Sequence, residues 1–213
     1  MDNLTRMDGI CDVCGYYRKI SLNMSDSPAL WECFDCRSKK RIEQNNARWV
    51  NKQYWPNKRI LDACCGSKMF WFDKERKDVL FMDIRQEEFE IHGKKVNVKP
   101  DVIGDFRNMP FEDESFYLVV FDPPHLKWAG PNSVMKAQYG QLDKDTWKDD
   151  LRKGFSECFR VLKPNGTFIF KWSECQIPVK QVLELAPTKA LFGQQRGTTH
   201  WFAFFKGGTD NEN

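Results

Sequence analysis

Across residues 58–206, short apolar runs bounded by charged or turn-forming residues alternate with segments of helical periodicity, and no other feature restricts the fold as much. Continuous apolar runs suit strands buried on both faces, and parallel strands need a crossover between them, usually a helix. Strands are expected at 59–63, 79–83, 101–104, 117–121, 167–172, 189–194 and 200–206. The best helix is expected over 146–162, where Trp147, Leu151, Phe155, Cys158, Phe159 and Leu162 recur at three and four to make one apolar stripe. Lys163-Pro164-Asn165-Gly166 stops it and turns the chain into the next strand, and a shorter helix follows at 179–185. The pattern is that of an α/β domain built on a parallel sheet flanked by helices.

The 213 residues, with seventeen Phe and eight Trp, are enough for one full domain and a small appendage. No run approaches the roughly 18 apolar residues of a membrane span, and the N-terminus lacks the charged-then-apolar pattern of a secretory signal. No membrane partner and a cytoplasmic location are therefore expected. Four parts are distinguished: a cysteine-bearing module at 1–37, a basic helical connector at 38–57, the α/β domain at 58–206 and a polar tail at 207–213.

Cys11-x2-Cys14 and Cys33-x2-Cys36 are separated by eighteen residues, a spacing that suits two knuckles closing on one zinc ion. A two-residue gap lets both sulfurs of a pair point at one metal, and zinc can replace the core that so small a module lacks. Disulfides would need an oxidising compartment, for which there is no signal. Cys11, Cys14, Cys33 and Cys36 are thus the expected ligands of a structural zinc. The charge is uneven as well: residues 1–60 hold eleven Lys/Arg against seven Asp/Glu, while the remainder holds 22 against 23. Between Arg37 and Arg59 only Glu43 offsets eight basic residues. Such a run attracts a phosphate backbone, although it also suits a solvated helix face or a counter-charge to a four-thiolate zinc site. Cys64, Cys65, Cys158 and Cys175 read as ordinary small apolar residues.

Three expected strands lead into acids. Ile60-Leu61-Asp62-Ala63-Cys64-Cys65-Gly66-Ser67 runs from a strand into a tight turn; Asp83 ends the second strand, 21 residues after Asp62; Gly104-Asp105-Phe106 follows the third. This series resembles the motifs of class I S-adenosylmethionine-dependent methyltransferases, especially the nucleic-acid-modifying kind, whose first motif often reads D-P-x-C-G-S-G. Ala63 replaces its Pro, and Lys68 its last Gly. The resemblance implies a Rossmann-like, mostly parallel seven-stranded sheet with helices on both faces. It also implies S-adenosylmethionine as cofactor, held by Asp62, Ala63, Cys64, Gly66, Asp83, Ile84, Asp105, Phe106 and Asp122. Within that set Asp62 would face the cofactor's amino group, directly or through water. Asp83 would accept from the ribose hydroxyls, as acids do at this place in dinucleotide-binding folds. Asp105 would take the adenine amino group, with Phe106 near the ring.

The fourth strand delivers Asp122-Pro123-Pro124-His125 at its carboxyl end, where open α/β sheets place their sites. A base's exocyclic amine is a poor nucleophile because its lone pair is delocalised. A carboxylate (Asp122) and a backbone carbonyl (Pro123), each accepting one N–H, favour a pyramidal nitrogen and orient its lone pair. The prolines fix φ and bring no competing N–H. The tetrapeptide resembles the D/N/S-P-P-aromatic turn of amino-methylating enzymes, whose aromatic residue stacks on a flipped base. His125 departs from it; imidazole can stack, hydrogen-bond or protonate near neutral pH, which leaves the target base open.

The resemblance makes Asp122, Pro123, Pro124 and His125 the catalytic set, acting on a base amino group in nucleic acid. The 6-amino group of adenine in DNA is preferred, with RNA close behind. The small layout, without a large target-recognition insertion, is similar to phage and bacterial modification enzymes. A protein glutamine amide is the second enzymatic reading, and a zinc-dependent nucleic-acid-binding module on a degenerate fold is the non-enzymatic one. Residues 126–142 lack periodicity and are expected to form either a lid beside the site or an ordinary surface loop.

Overall fold

The computed structural model describes residues 5–10, 17–22, 32–33, 55, 57–91, 93–130 and 133–207. The chain divides into two units, Met1–Arg48 and Trp49–Asn213. In the first, β1 (Thr5–Ile10), β2 (Tyr17–Leu22) and β3 (Glu32–Cys33) form an antiparallel sheet in that order, with Cys33 opposite Ile20. Cys11, Cys14, Cys36 and the expected basic helix lie outside the described residues, apart from the helix's last few positions around Trp55.

The second unit is built on a seven-stranded sheet ordered β11-β12-β10-β9-β4-β5-β8. Its strands are β4 (Ile60–Asp62), β5 (Val79–Asp83), β8 (Val102–Ile103), β9 (Phe116–Phe121), β10 (Leu162–Ser173), β11 (Phe192–Arg196) and β12 (Thr199–Phe205). The pairs β8–β5, β5–β4, β4–β9 and β9–β10 are parallel, and β12 runs antiparallel to both β10 and β11. From β4 the chain moves outward to β5 and β8, and from β9 it moves the other way to β10. The crevice beyond the carboxyl ends of β4 and β9 is therefore the switch point at which open α/β sheets bind ligands.

The expected strands all appear, with ends displaced by a few residues. The flanking layers differ more from expectation. The helices of the described residues are α1 (Val134–Tyr139), α2 (Trp147–Val161) and α3 (Val179–Leu183). Residues 63–78, between β4 and β5, form turns, and β5 reaches β8 through a hairpin of β6 (Glu87–Ile91) and β7 (Lys94–Val98). The expected alternation of strand-like and helix-like segments does not extend to these two crossovers. Residues 84–101 instead carry the strand period, Phe89 alternating with Ile91 and Val96 with Val98.

Core packing centres on β10 and α2. Phe168, Phe170 and Trp172 alternate along β10 and are fully buried; Trp147, Leu151, Phe155, Cys158 and Val161 form the buried stripe of α2. Gly154 lets α2 come down on the site: a Cβ there would lie 2.7 Å from the Phe121 ring and 2.8 Å from Phe106. Mid-helix glycine costs about 1 kcal/mol relative to alanine, and this close approach offsets it. Among the described residues no helix is long and apolar enough to cross a membrane.

Candidate active site

A cavity of about 160 Å³ opens at the switch point. Its walls come from the loop after β4 (Ala63 to Ser67, Met69, Phe70), from the end of β5 (Asp83, Ile84, Arg85), from Gly104 and Phe106 after β8, from Asp122 and Pro124 after β9, and from Gln138 to Gln141. Eight of the residues expected at the site therefore share one cavity: Ala63, Cys64, Gly66, Asp83, Ile84, Phe106, Asp122 and Pro124.

The β4 loop is held from below. Ala63 donates its N–H to the Val120 carbonyl and Cys65 to that of Met82. Gly66, at φ +48, takes a left-handed turn that glycine adopts without strain, and its N–H donates to Asp83 Oδ2 at 2.8 Å. Lys68 also sits at φ +54, so the backbone keeps the conformation that glycine favours although the side chain is lysine. That side chain leaves the cavity: its ammonium lies 3.9 Å from the Phe81 ring centroid and donates to the Lys74 carbonyl. Burial pushes the thiols of Cys64 and Cys65 up, so both stay protonated and unreactive.

Two of the expected cofactor acids stand back from the cavity. Asp62 is fully buried, its carboxylate accepting from Trp71 Nε1 at 2.7 Å and from the Cys64 N–H at 3.3 Å. Burial raises its carboxyl to about 7, against the pull of those two donors and with further push from the charges of Asp122 and Asp83. Asp62 thus anchors the loop rather than lining the cavity. Asp105 is gripped by Arg107 through its backbone N–H, Nε and Nη2; burial opposes its ionisation, but these bonds outweigh it and hold the carboxyl below its ordinary value. Phe106, beside it, does reach the wall and packs edge-on against Phe121.

Asp83 faces the cavity with Oδ1 accepting from the backbone N–H and Nε of Arg85. The same guanidinium donates to the carbonyls of Ala137 and Gln138. Arg85 thereby ties the acid on β5 to α1, a link that its position in the sequence does not reveal.

At the opposite end, Asp122 lies in the cavity wall and its Oδ2 accepts from Lys171 Nζ at 2.5 Å. Burial raises the Asp122 carboxyl, while the charge and hydrogen bond of Lys171 pull it back. Phe121 of β9 pairs with Phe170 of β10, so the next residues, Asp122 and Lys171, emerge side by side.

The structure places His125 behind the cavity wall. It is buried and absent from the cavity wall, its ring 5.3 Å from that of Tyr139 and its Nε2 without a hydrogen-bond partner among the described residues. Burial, aided by the Lys171 charge, lowers its pKa to about 4, so the imidazole is neutral at physiological pH. Tyr139, the ring it packs against, lines the cavity, as do Phe70 and Phe106. Pro123 is buried and also stands behind the wall.

Within residues 126–142 the structure has more order than the sequence pattern suggests. Ser133 caps α1 by accepting the Lys136 N–H, and Gly140 ends it against Pro124. Gln176 accepts the N–H groups of Lys127 and Trp128 and donates to the Trp128 carbonyl. A six-residue helix is too short to show periodicity, which is why the pattern missed it.

No family model matches the sequence, and no curated protein matches it. Solved structures show a distant likeness. A Pyrococcus horikoshii protein is 17% identical with a TM-score of 0.45, the match covering 82% of this chain and 92% of that one. A TehB-like SAM-dependent methyltransferase from Corynebacterium glutamicum is 16% identical with a TM-score of 0.42, over 81% of this chain and 96% of the other. A Burkholderia thailandensis 1,6-didemethyltoxoflavin-N1-methyltransferase, solved with S-adenosylhomocysteine, is 11% identical with a TM-score of 0.42, over 88% and 96%. At such scores the likeness carries no weight on chemistry, which rests on the cavity itself.

Proposed function

We propose that the chain is an S-adenosylmethionine-dependent methyltransferase acting on an exocyclic base amino group in nucleic acid, with the 6-amino group of adenine in DNA preferred. The observation that carries this reading is one cavity bounded by the Ala63–Gly66 turn and Asp83 on one side and by Asp122 and Pro124 on the other. The residues suit the cofactor: small groups and a left-handed glycine allow close approach, Asp83 offers a carboxylate for a ribose diol, and Phe106 and Ile84 offer apolar faces for a purine. When bound, S-adenosylmethionine supplies an electrophilic sulfonium methyl.

The chain's own residues do the rest. Asp122 accepts one N–H of the acceptor amine and the Pro123 carbonyl a second, which frees the nitrogen lone pair. The nitrogen would take the methyl group as the methyl's bond to the sulfonium sulfur breaks, leaving a neutral thioether, and would release one proton to solvent. Tyr139 is the ring available to stack on the acceptor base, in place of His125. Two departures from the usual motifs, Lys68 and His125, stay out of the cavity wall, and the third, Ala63, is small, so the cavity is left open, which favours an active enzyme over a degenerate binding module. Cys11, Cys14, Cys33 and Cys36 hold a structural zinc in this reading, a set of four thiolates suited to that ion. With the basic stretch that follows, the zinc unit grips the phosphate backbone, in a cytoplasm that keeps the thiols reduced.

The test offers methyl-tritiated cofactor to DNA, RNA and protein, followed by nucleoside analysis of the labelled product. Label in N6-methyladenine of DNA is expected. Label in RNA moves the reading to that polymer, label in glutamine moves it to protein, and no label in any of them overturns it.

A further inference from the structure

We propose that Lys171 is the positioning residue of this site: its ammonium binds Oδ2 of Asp122, keeps that buried carboxylate anionic and leaves Oδ1 to accept the acceptor's N–H. The inference rests on the methyl-transfer reading for the word acceptor, but the pairing stands on geometry alone.

Asp122 is in the cavity wall, with only 11% of its side chain exposed, and Lys171 has 20%. A carboxylate so enclosed takes up a proton unless a cation or donors hold it, because burial penalises the charged form. Lys171 is the one donor to Asp122 among the described residues, and it takes a single oxygen. A protonated Asp122 would lose much of its power to accept from an amine and would present no charge to the nitrogen as positive charge develops there. The cation is therefore required at the reacting end although it does not itself line the cavity.

The surroundings of Lys171 keep it in place. Its ammonium lies 5.7 Å from the Phe70 ring centroid, 5.9 Å from that of Tyr139 and 5.8 Å from that of Trp201, within reach of cation–π attraction. Trp201 stands directly opposite Lys171 in the β10–β12 register, and Phe70 meets Trp201 edge-on. Three aromatic faces and one carboxylate thus enclose one ammonium, and Phe70 and Tyr139 also form part of the cavity wall. An arginine at 171 can keep the charge; a methionine keeps much of the length and apolar contact but not the charge.

The titratable groups around Asp122 can be named. Lys171 faces it from β10; Asp62 at the end of β4 and the Cys64 thiol in the following loop feel its charge; His125, in its own turn, feels that of Lys171. Among these groups Lys171 is the cation, so its removal sends the Asp122 carboxyl further up.

The experiment compares the full-length wild type with Lys171→Met, Lys171→Gln and Lys171→Arg. Aspartate-carboxyl carbon-13 NMR follows the titration of Asp122, assigned by its loss in Asp122→Asn, and methyl transfer is measured from pH 5 to 10. In the two neutral variants the Asp122 titration should rise by at least one pH unit and the acid limb of kcat/KM should move with it. Activity at pH 7 should fall at least tenfold and recover at higher pH, and cofactor Kd should change less than twofold. Lys171→Arg should restore most of the wild-type profile.

An unmoved Asp122 titration in both neutral variants overturns the pairing, whether or not an acceptor has been found. A titration that moves while the acid limb stays put overturns the positioning role. If the titration moves but even the wild type methylates no polymer, the pairing is supported and the nucleic-acid reading fails separately. If neither neutral variant folds, titration of the wild type decides: an Asp122 that is still protonated at pH 7 despite Lys171 overturns the proposal, and an ionised one supports it.

Discussion

Asp62 and Asp122 leave adjacent parallel strands at the same end of the sheet, and burial raises both carboxyls. Their partners differ. Asp62 has two neutral donors, an indole and a backbone amide, and its carboxyl rises to about 7. Asp122 has a lysine ammonium and a place in the cavity wall. Neutral donors let a buried acid fasten a loop in either protonation state, whereas a cation keeps it charged. The first arrangement suits an anchor, the second a group that must accept a hydrogen bond from a reacting amine.

The largest expected difference is in turnover. Asp122→Ala should lower kcat/KM at least about a thousandfold, roughly 4 kcal/mol in the transition state, while isothermal titration finds cofactor affinity retained. Asp62→Ala should instead weaken cofactor binding and thermal stability together, because the loop loses its anchor. Transfer lost equally in both, with cofactor affinity intact in both, would erase the distinction.

Next comes the pH dependence of stability. Asp62 binds a proton more tightly folded (about 7) than unfolded (an ordinary aspartate), so the native state carries the extra proton between those values and loses stability as pH rises through that window. Denaturant unfolding of the wild type against Asp62→Asn from pH 4 to 7 should show the wild type losing on the order of 4 kcal/mol relative to the variant. A flat difference would mean that Asp62 ionises normally.

Smaller still is the effect of Trp71→Phe, which removes the indole donor while keeping a ring against Phe81. It should cost about 1–3 kcal/mol by urea unfolding, and it should leave the acid limb of methyl transfer where it was. Last, nitrogen-15 spectra of the His125 ring should show a neutral imidazole down to about pH 4. Titration near 6.5 would place the ring in water and reopen a direct role for it.

The strands and the acids following them were legible from the sequence because each is a local pattern: a few apolar residues, then an acid or a turn. The resemblance carried by those patterns pointed to eight residues that line one cavity. That the chain crosses over in turns at 63–78 and in a hairpin within 84–101 was not legible, since crossovers between parallel strands are usually helices. Asp105 and His125 matched a motif's position, but whether a side chain faces a cavity or is held elsewhere depends on packing. Asp105 is taken by Arg107, and His125 is buried under Tyr139.

By itself, then, the sequence determined the strand series, the parallel α/β architecture and the acid-bearing turns, all set by residues within a few positions of one another. The tertiary structure alone decided which acid is held by neutral donors and which by a cation. It set Lys171 beside Asp122 across 49 positions and Arg85 against α1 across more than 50. Those contacts follow from strand register and burial, and the ionisation of a buried carboxylate follows from its nearest charges in space, which spacing along the chain does not encode.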